Sequence, residues 1–427
     1  MRGVGAREIA HVERLRVDLD LEGTRRTVGT LAWSLPNRIA FFQYDPAFLA
    51  APLPLSPFKL PPDARVLPGH PVFEGLHGLF NDSLPDGWGR KLLDRRLSSA
   101  GYDARRLTPL DRLAFVGERG MGALRYIPEN PDGETQDVRA DLDFLSDEAR
   151  RIENDEPQTD ISKLVGAQGG SGGARPKIVV GLEPATGKLL LDCGQELPRG
   201  YERWLVKFRS MDDPREIGAE EYAYARMAQA AGVGMAETRL LRTGKDVYFA
   251  VKRFDRSAAG RHHVHTAAGL VDADFRVPGA IDYEALLKMT WALTKNAAHV
   301  EQMFRRMVFN VLAHNRDDHA RNHAFLMNGA GEWSPTPAYD LTFSNGPAGE
   351  HNLAVAGEGR NPGRAHILQA ARETSMGAAR ASAILEEVQG AIALWPSFAD
   401  EAGLSRRRSE EINGVLNGRK PAPRPSG

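Results

Sequence analysis

The chain has 427 residues, 42% of them hydrophobic and 26% charged, with 55 basic and 56 acidic side chains and a net charge of −1. That length predicts two or three lobes with real cores, and a charge so balanced excludes a global attraction to nucleic acid or anionic membrane. Cys193 is the single cysteine, which excludes an intrachain disulfide and a cysteine metal cluster.

The N-terminus turns charged at once and has no apolar signal core. Residues 12–45 then alternate as strands do, with Val12, Leu15, Val17, Leu19 and Leu21 in VERLRVDLDLEG. A Pro-rich stretch, residues 52–62, reads as an extended connector. Residues 75–98 turn helical, with Asp82 or Ser83 as the cap and Leu92, Leu93 and Leu97 as an apolar stripe. Residues 112–129 read as a glycine-interrupted turn leading to a strand. This first region shows no catalytic group, so a structural or partner-contacting role is expected.

An acidic linker and helix follow over 129–160, and then GAQGGSGG, residues 166–173, with five glycines in eight positions. The chain enters a strand at Lys177 and a second at ERWLVKFRS, which sets Lys207 among apolar residues. Residues 220–233 form an Ala-rich helix opened by Glu220 and Glu221, and a hairpin turns at Thr243–Asp246. From residue 282 the pattern is mostly helical, and the basic, Pro-rich end is expected to fray. No run approaches the ~20 apolar residues of a membrane helix, and a cytoplasmic protein is expected.

The stretch HNRDDHARNHAF…AYDLTF concentrates the chemistry. Asn322 lies five positions after Asp317, and Asp340 follows among apolar neighbours. That spacing matches the kinase catalytic loop, with its separate metal-binding Asp; Asp318 does not give it. Phosphoryl transfer also needs close backbone N–H donors, a phosphate-neutralising lysine and hard oxygen ligands for Mg²⁺. The Gly-rich run and Lys207 stand upstream in the required order. A lysine inside an apolar strand needs a partner, and one of Glu220 and Glu221 is placed to supply it. A rival constellation, His319 and His323 at i, i+4 with His314 nearby, has the spacing of a zinc site, but Ala320 stands where the H-E-x-x-H pattern needs Glu. His262, His263 and His265 read as exposed turn histidines.

GGARPK (172–177), LVKF (205–208), VKRFDR (251–256), NRDDHARNHAF (315–325) and AYDLTF (338–343), in this order, resemble the HipA family of bacterial toxin kinases. FNDSLPDGWGR (80–90) resembles that family's N-terminal region. The resemblance implies an α+β fold: a kinase-like two-lobed core preceded by a β-rich N-terminal subdomain. The expected divisions are the N-terminal subdomain 1–128, linker and helix 129–160, kinase-like N-lobe 161–256, helical C-lobe 257–404 and flexible tail 405–427. It implies a serine/threonine protein kinase using ATP and Mg²⁺, the toxin of a toxin–antitoxin module. A small HipB-like DNA-binding antitoxin would restrain it, and its substrate would be a cytosolic translation protein such as an aminoacyl-tRNA synthetase. DNA contact would come only through the antitoxin.

By position, the resemblance makes Asp317 the catalytic base and gives Mg²⁺ to Asn322 and Asp340. Gly172, Gly173, Ala174, Arg175, Pro176 and Lys177 would cover the phosphates, and Lys207 would contact them. Lys252, Arg253 and Phe254 would form the hinge at adenine, with His319 beside the nucleotide. The family's regulatory serine position falls on Gly170, with Ser171 one place later. Either a shifted loop makes Ser171 the autophosphorylation site or that regulation is absent. A small-molecule phosphotransferase on the same scaffold, and a non-catalytic scaffold bridging a DNA-binding partner, are the alternatives.

Overall fold

The computed structural model describes residues 11–85, 87–99, 102–127, 140–154, 156, 164, 167, 173–192 and 196–418. Ser171 and Gly172 lie outside the described residues.

The alternating N-terminal segment forms an antiparallel sheet of order β4-β3-β2-β1-β5, built from β1 (Arg14–Leu21), β2 (Thr24–Ser34), β3 (Ile39–Tyr44), β4 (Leu67–Pro68) and β5 (Leu124–Ile127). The β1–β2 register shifts between Val17 and Asp18, and this irregularity buries both residues. The Pro-rich connector packs against the sheet. Leu55 and Leu60 are fully buried, and the Tyr44 hydroxyl donates to the Leu60 carbonyl at 2.7 Å.

Two longer helices belong to this region, α1 (Gly87–Ser99) and α2 (Pro109–Val116). α2 is not expected from the sequence pattern, and its start is fixed by a capping box between Thr108 and Asp111. The sequence pattern places the cap of α1 at Asp82 or Ser83. The helix begins later, at Gly87, because Asp82 is committed elsewhere: its carboxylate accepts from Thr266 N (2.7 Å) and Thr266 Oγ1 (2.8 Å) and pairs with His265 Nδ1 (2.6 Å).

After α3 (Leu142–Glu153) comes a second antiparallel sheet of order β7-β6-β8-β10-β9. Its strands are β6 (Lys177–Leu182), β7 (Leu189–Leu191), β8 (Glu202–Lys207), β9 (Thr238–Arg242) and β10 (Val247–Lys252), with α4 (Ile217–Ala230) packed on β9 and β10. The expected hairpin turn is present, with Thr243 N donating to Asp246 O at 3.1 Å.

The rest is largely helical. A small ladder of β11 (Arg256–Ser257) and β12 (Gly260–Arg261) precedes a three-stranded sheet of β13 (His263–Thr266), β14 (Ala324–Met327) and β15 (Trp333–Pro335). Around it lie α5 (Tyr283–Thr294), α6 (Ala297–Leu312), α7 (Arg364–Glu373), α8 (Ala378–Ala393), α9 (Trp395–Ala402) and α10 (Arg406–Leu416). This is the expected α+β, kinase-like two-lobed fold with a β-rich region in front.

The hydrophobic clusters do not follow chain order. The first sheet shares one cluster with the helical lobe, whereas Trp88 and Leu92 of α1 join the cluster under the second sheet. The N-terminal region therefore packs against both lobes.

Two expectations fail here. His263 and His265 are buried, not exposed turn residues: His263 Nε2 donates to Leu55 O (2.9 Å), and His265 bridges Asp82 and Ser56 Oγ (3.0 Å) across the join between the N-terminal region and β13. The tail expected to be flexible from residue 405 begins instead as α10, capped by Ser405 Oγ and anchored by the buried Ile412.

Candidate active site

Lys207 ends β8 between the buried Val206 and Phe208, and is itself only 8% exposed. A charge held there must be paired. Its ammonium lies 3.2 Å from Glu221 Oε1 and in contact with Asp340 Oδ1. Burial alone pulls its proton affinity down, but Asp340 and Glu221 outweigh that and hold it above an ordinary lysine. Glu221 also accepts from Arg175 Nη1 at 2.6 Å, and Arg175 Nε reaches Asp213 at 3.0 Å. Of the two glutamates that open α4, Glu221 is thus the partner of Lys207, and Glu220 pairs with Arg408.

Lys177, the last residue of the GGARPK run, stands directly opposite Lys207 in the β6–β8 ladder and is 3% exposed. A side chain at Gly173, whose φ is +103°, would run into the Lys177 ammonium, so this glycine keeps the loop close to the charge. Burial pushes the Asp340 carboxyl up, but Lys207, Lys177 and Arg175 together hold it well below the usual range. Asp340 takes a left-handed backbone, φ 52°, which Asp tolerates better than most residues.

The loop after α6 separates its adjacent aspartates. The Asp317 side chain is 57% exposed, and its nearest ionic partner is His319 Nε2, at 3.8 Å. Asp318 is buried, accepting from Tyr283 OH (2.7 Å), His351 Nδ1 (2.8 Å) and Asn352 N (2.8 Å). Asn322 Nδ2 donates to Asp317 O at 2.7 Å, which closes the loop on itself and leaves the Asn322 amide oxygen without a protein hydrogen bond among the described residues. Tyr339 OH donates to Arg321 O at 2.6 Å, and Ser344 N donates to His314 O at 3.0 Å. The segment bearing Asp340 is thereby tied to the loop bearing Asp317 and Asn322.

Asp340 and Asn322 offer hard oxygens of the kind Mg²⁺ prefers. A cation, the Lys207 ammonium, already rests against Asp340. The Asp340 carboxylate is thus one that faces positive charge, as a Mg²⁺ ligand must. The rival histidine site does not assemble. Residues 320–322 form a 3-10 turn flanked by extended residues, so His319 and His323 do not share a helix face, and His323 is buried against Tyr283.

The other expected site residues divide. Ala174 lies under α1: a side chain on Gly87 would come within 2.7 Å of its Cα, and Trp88 N donates to Gly173 O at 3.3 Å. Pro176 accepts from Phe208 N at 2.8 Å, which fixes the entry into β6. Arg175 is committed to Glu221 and Asp213. Lys252 reaches Glu202 at 2.6 Å, and Arg253 is buried on Asp255 (2.7 Å), so of the hinge side chains only Phe254 turns to the loops, stacking on Tyr339 at 5.8 Å. Sequence reasoning missed Tyr283, His351 and Arg408, which carry no motif; their roles exist only through contacts across 33 to 188 positions.

Residues 169–395 match the model of the HipA-like C-terminal domain, and residues 19–127 match that of the HipA N-terminal domain. The chain belongs to the HipA family. Over 94% of its length it superposes on 95% of the HipA chain from the Shewanella oneidensis MR-1 complex of HipA, HipB and operator DNA, with a TM-score of 0.67 and 18% identity. This HipA family member thus shares the fold of that chain. A second solved structure, the Helicobacter pylori proinflammatory kinase CtkA, aligns over 51% of this chain and 86% of its own at 16% identity and a TM-score of 0.36. Among the described residues, no helix of this HipA family member is long and apolar enough to cross a membrane.

Proposed function

We propose that the chain is an ATP- and Mg²⁺-dependent serine/threonine protein kinase and the toxin of a toxin–antitoxin module. One observation carries the reading: two buried lysines, Lys177 and Lys207, are directly opposed in one ladder, beside Asp340. Opposed like charges destabilise a sheet. A site that receives a polyphosphate is a physical reason to keep them.

In the proposed reaction Lys207, steadied by Glu221, binds the α- and β-phosphates, and Lys177 with the backbone of Gly173 and Ala174 covers them. Asn322 and Asp340 would hold Mg²⁺, which when bound neutralises charge on the phosphate oxygens. Asp317, exposed at the loop surface, orients the acceptor hydroxyl and takes its proton at a carboxylate oxygen. Tyr339 and the Asn322–Asp317 hydrogen bond keep the two loops in register.

A HipB-like DNA-binding antitoxin is the proposed partner, because the Shewanella relative of matching fold and length is in complex with HipB and operator DNA. The proposed substrate is a cytosolic translation protein such as an aminoacyl-tRNA synthetase. Expression of the chain in cells, followed by phosphopeptide mass spectrometry, tests this. We expect growth arrest and a new phosphoserine or phosphothreonine on one translation protein, both lost in Asp317→Ala. Arrest undiminished in that variant would sink the kinase reading.

A further inference from the structure

Two adjacent buried glutamates with different partners stand near the start of α4. Glu221 holds Lys207, and Glu220, 1% exposed at its side chain, accepts from Arg408 Nε at 2.9 Å. Arg408 comes from α10. Its guanidinium also pairs with Glu411 (3.0 Å) and lies 5.5 Å from the ring centre of Phe343, three positions beyond Asp340. Phe343 in turn stacks on His314, at the start of the loop bearing Asp317, with ring centres 5.2 Å apart. One guanidinium thus touches the Lys207-pairing helix and the segment that joins the two acidic loops.

A second tie lies one turn earlier. Glu216 accepts from Ser405 N at 2.6 Å and Ser405 Oγ at 2.8 Å. Behind it, buried Trp395 packs on Tyr224 of α4 with ring centres 5.2 Å apart, and its Nε1 donates to Ser409 O at 3.1 Å. The match to the C-terminal family domain stops at residue 395, so α10 lies beyond it.

Removing one partner of a buried ion pair leaves a charge that must find water or a proton. Glu220 can reach water only if the first turn of α4 moves outward, and Glu221 would move with it. We propose that α10 is a brace for the active site, and that Arg408 is a positioning residue which holds α4 where Glu221 reaches Lys207. The inference rests on the kinase reading for its effect on catalysis, since a kinase-like site needs its Lys–Glu pair assembled. Its structural half stands without that reading.

The pair also has a pH signature. Burial raises the Glu220 carboxyl and Arg408 opposes it, leaving it pushed up to about 7. The other charged groups facing it are Arg175, Glu221 and Glu411, with Tyr224 nearby on its own helix. Below that pH Glu220 is neutral and its ionic tie to Arg408 is lost.

The test uses the full chain as Arg408→Gln, Arg408→Lys, Glu220→Gln and, as a control on the exposed side of α10, Arg407→Gln. For each, kcat and the KM for ATP are measured from pH 6 to 8.5, with hydrogen exchange at residues 217–230. At pH 8 we expect Arg408→Gln to lose tenfold or more in kcat and to exchange at least tenfold faster in the first turns of α4. Arg408→Lys should recover most of both, and Arg407→Gln should match wild type. Glu220→Gln should behave at every pH as wild type does at low pH. Wild-type kcat and exchange in Arg408→Gln, or a lower melting temperature alone, would overturn the brace. If Arg408→Gln does not fold, the near-isosteric Glu220→Gln decides. If wild type itself transfers no phosphate, the kinase reading fails and the exchange data still judge the brace.

Discussion

Lys177 and Lys207 face each other across the β6–β8 ladder, both buried, and Lys207 is bonded to carboxylates from two different parts of the chain, Glu221 and Asp340. Replacing Lys207 with Met keeps the stem and removes the charge. Loss of one preorganised group that stabilises developing charge costs roughly 10²–10³ in rate, so kcat for phosphate transfer should fall by about that factor. Glu221 retains Arg175, and Lys207→Met should stay folded by circular dichroism.

The adjacent aspartates should behave in opposite ways. Asp317 is exposed, so Asp317→Ala should change stability by only about 0.5 kcal/mol while abolishing transfer. Asp318→Ala strips partners from Tyr283 OH, His351 and Asn352 N, and should cost on the order of 3 kcal/mol. Urea melts of both variants check this. Burial raises the Asp318 carboxyl, but the His351 and Tyr283 contacts outweigh it and lower it. A lowered carboxyl stabilises the fold above its unfolded-state value and loses that contribution as pH falls through the folded one.

Acid should weaken the N-terminal region and its join to the rest through two buried histidines, His77 within it and His263 across the join. Burial pushes His77 and His263 down to about 4. The unfolded chain therefore takes up these protons first, and stability that is full above pH ~6.5 declines toward pH 4, by up to about 1.4 kcal/mol per pH unit for each group. Urea midpoints across this range should fall, and His263→Gln should flatten the slope by one proton. An unchanged slope would contradict the assignment of a neutral buried imidazole at position 263.

Gly87 sits at φ 39° with no room for a side chain against the Ala174 Cα. Gly87→Ala should push α1 off residues 173–174, with an overpacking cost of about 1–3 kcal/mol. We expect a several-fold rise in the KM for ATP, read from initial rates, with a smaller change in kcat.

Local pattern carried some of this account and distance hid the rest. An isolated lysine in an apolar strand requires an acidic partner, and the structure supplies Glu221 from the next helix. The five-residue spacing separated Asp317 from Asp318, and burial separates them too. The bond of His265 to Asp82 and Ser56 was not legible, because it joins positions far apart in the chain and none carries a motif. Nor was α10. Its arginines read as a fraying basic end, since nothing local shows that Glu220, nearly two hundred positions earlier, waits buried for Arg408. The start of α1 was misplaced because Asp82 has the composition of a cap and a tertiary partner took it.

The most direct test of the central claim is transfer of ³²P from γ-labelled ATP, with Mg²⁺, by the purified chain to protein from a lysate of its own host cells. The account predicts labelled phosphoserine or phosphothreonine on a discrete protein with wild type, none with Asp317→Ala, and little with Lys207→Met. No labelling by wild type, or equal labelling by Asp317→Ala, would contradict it.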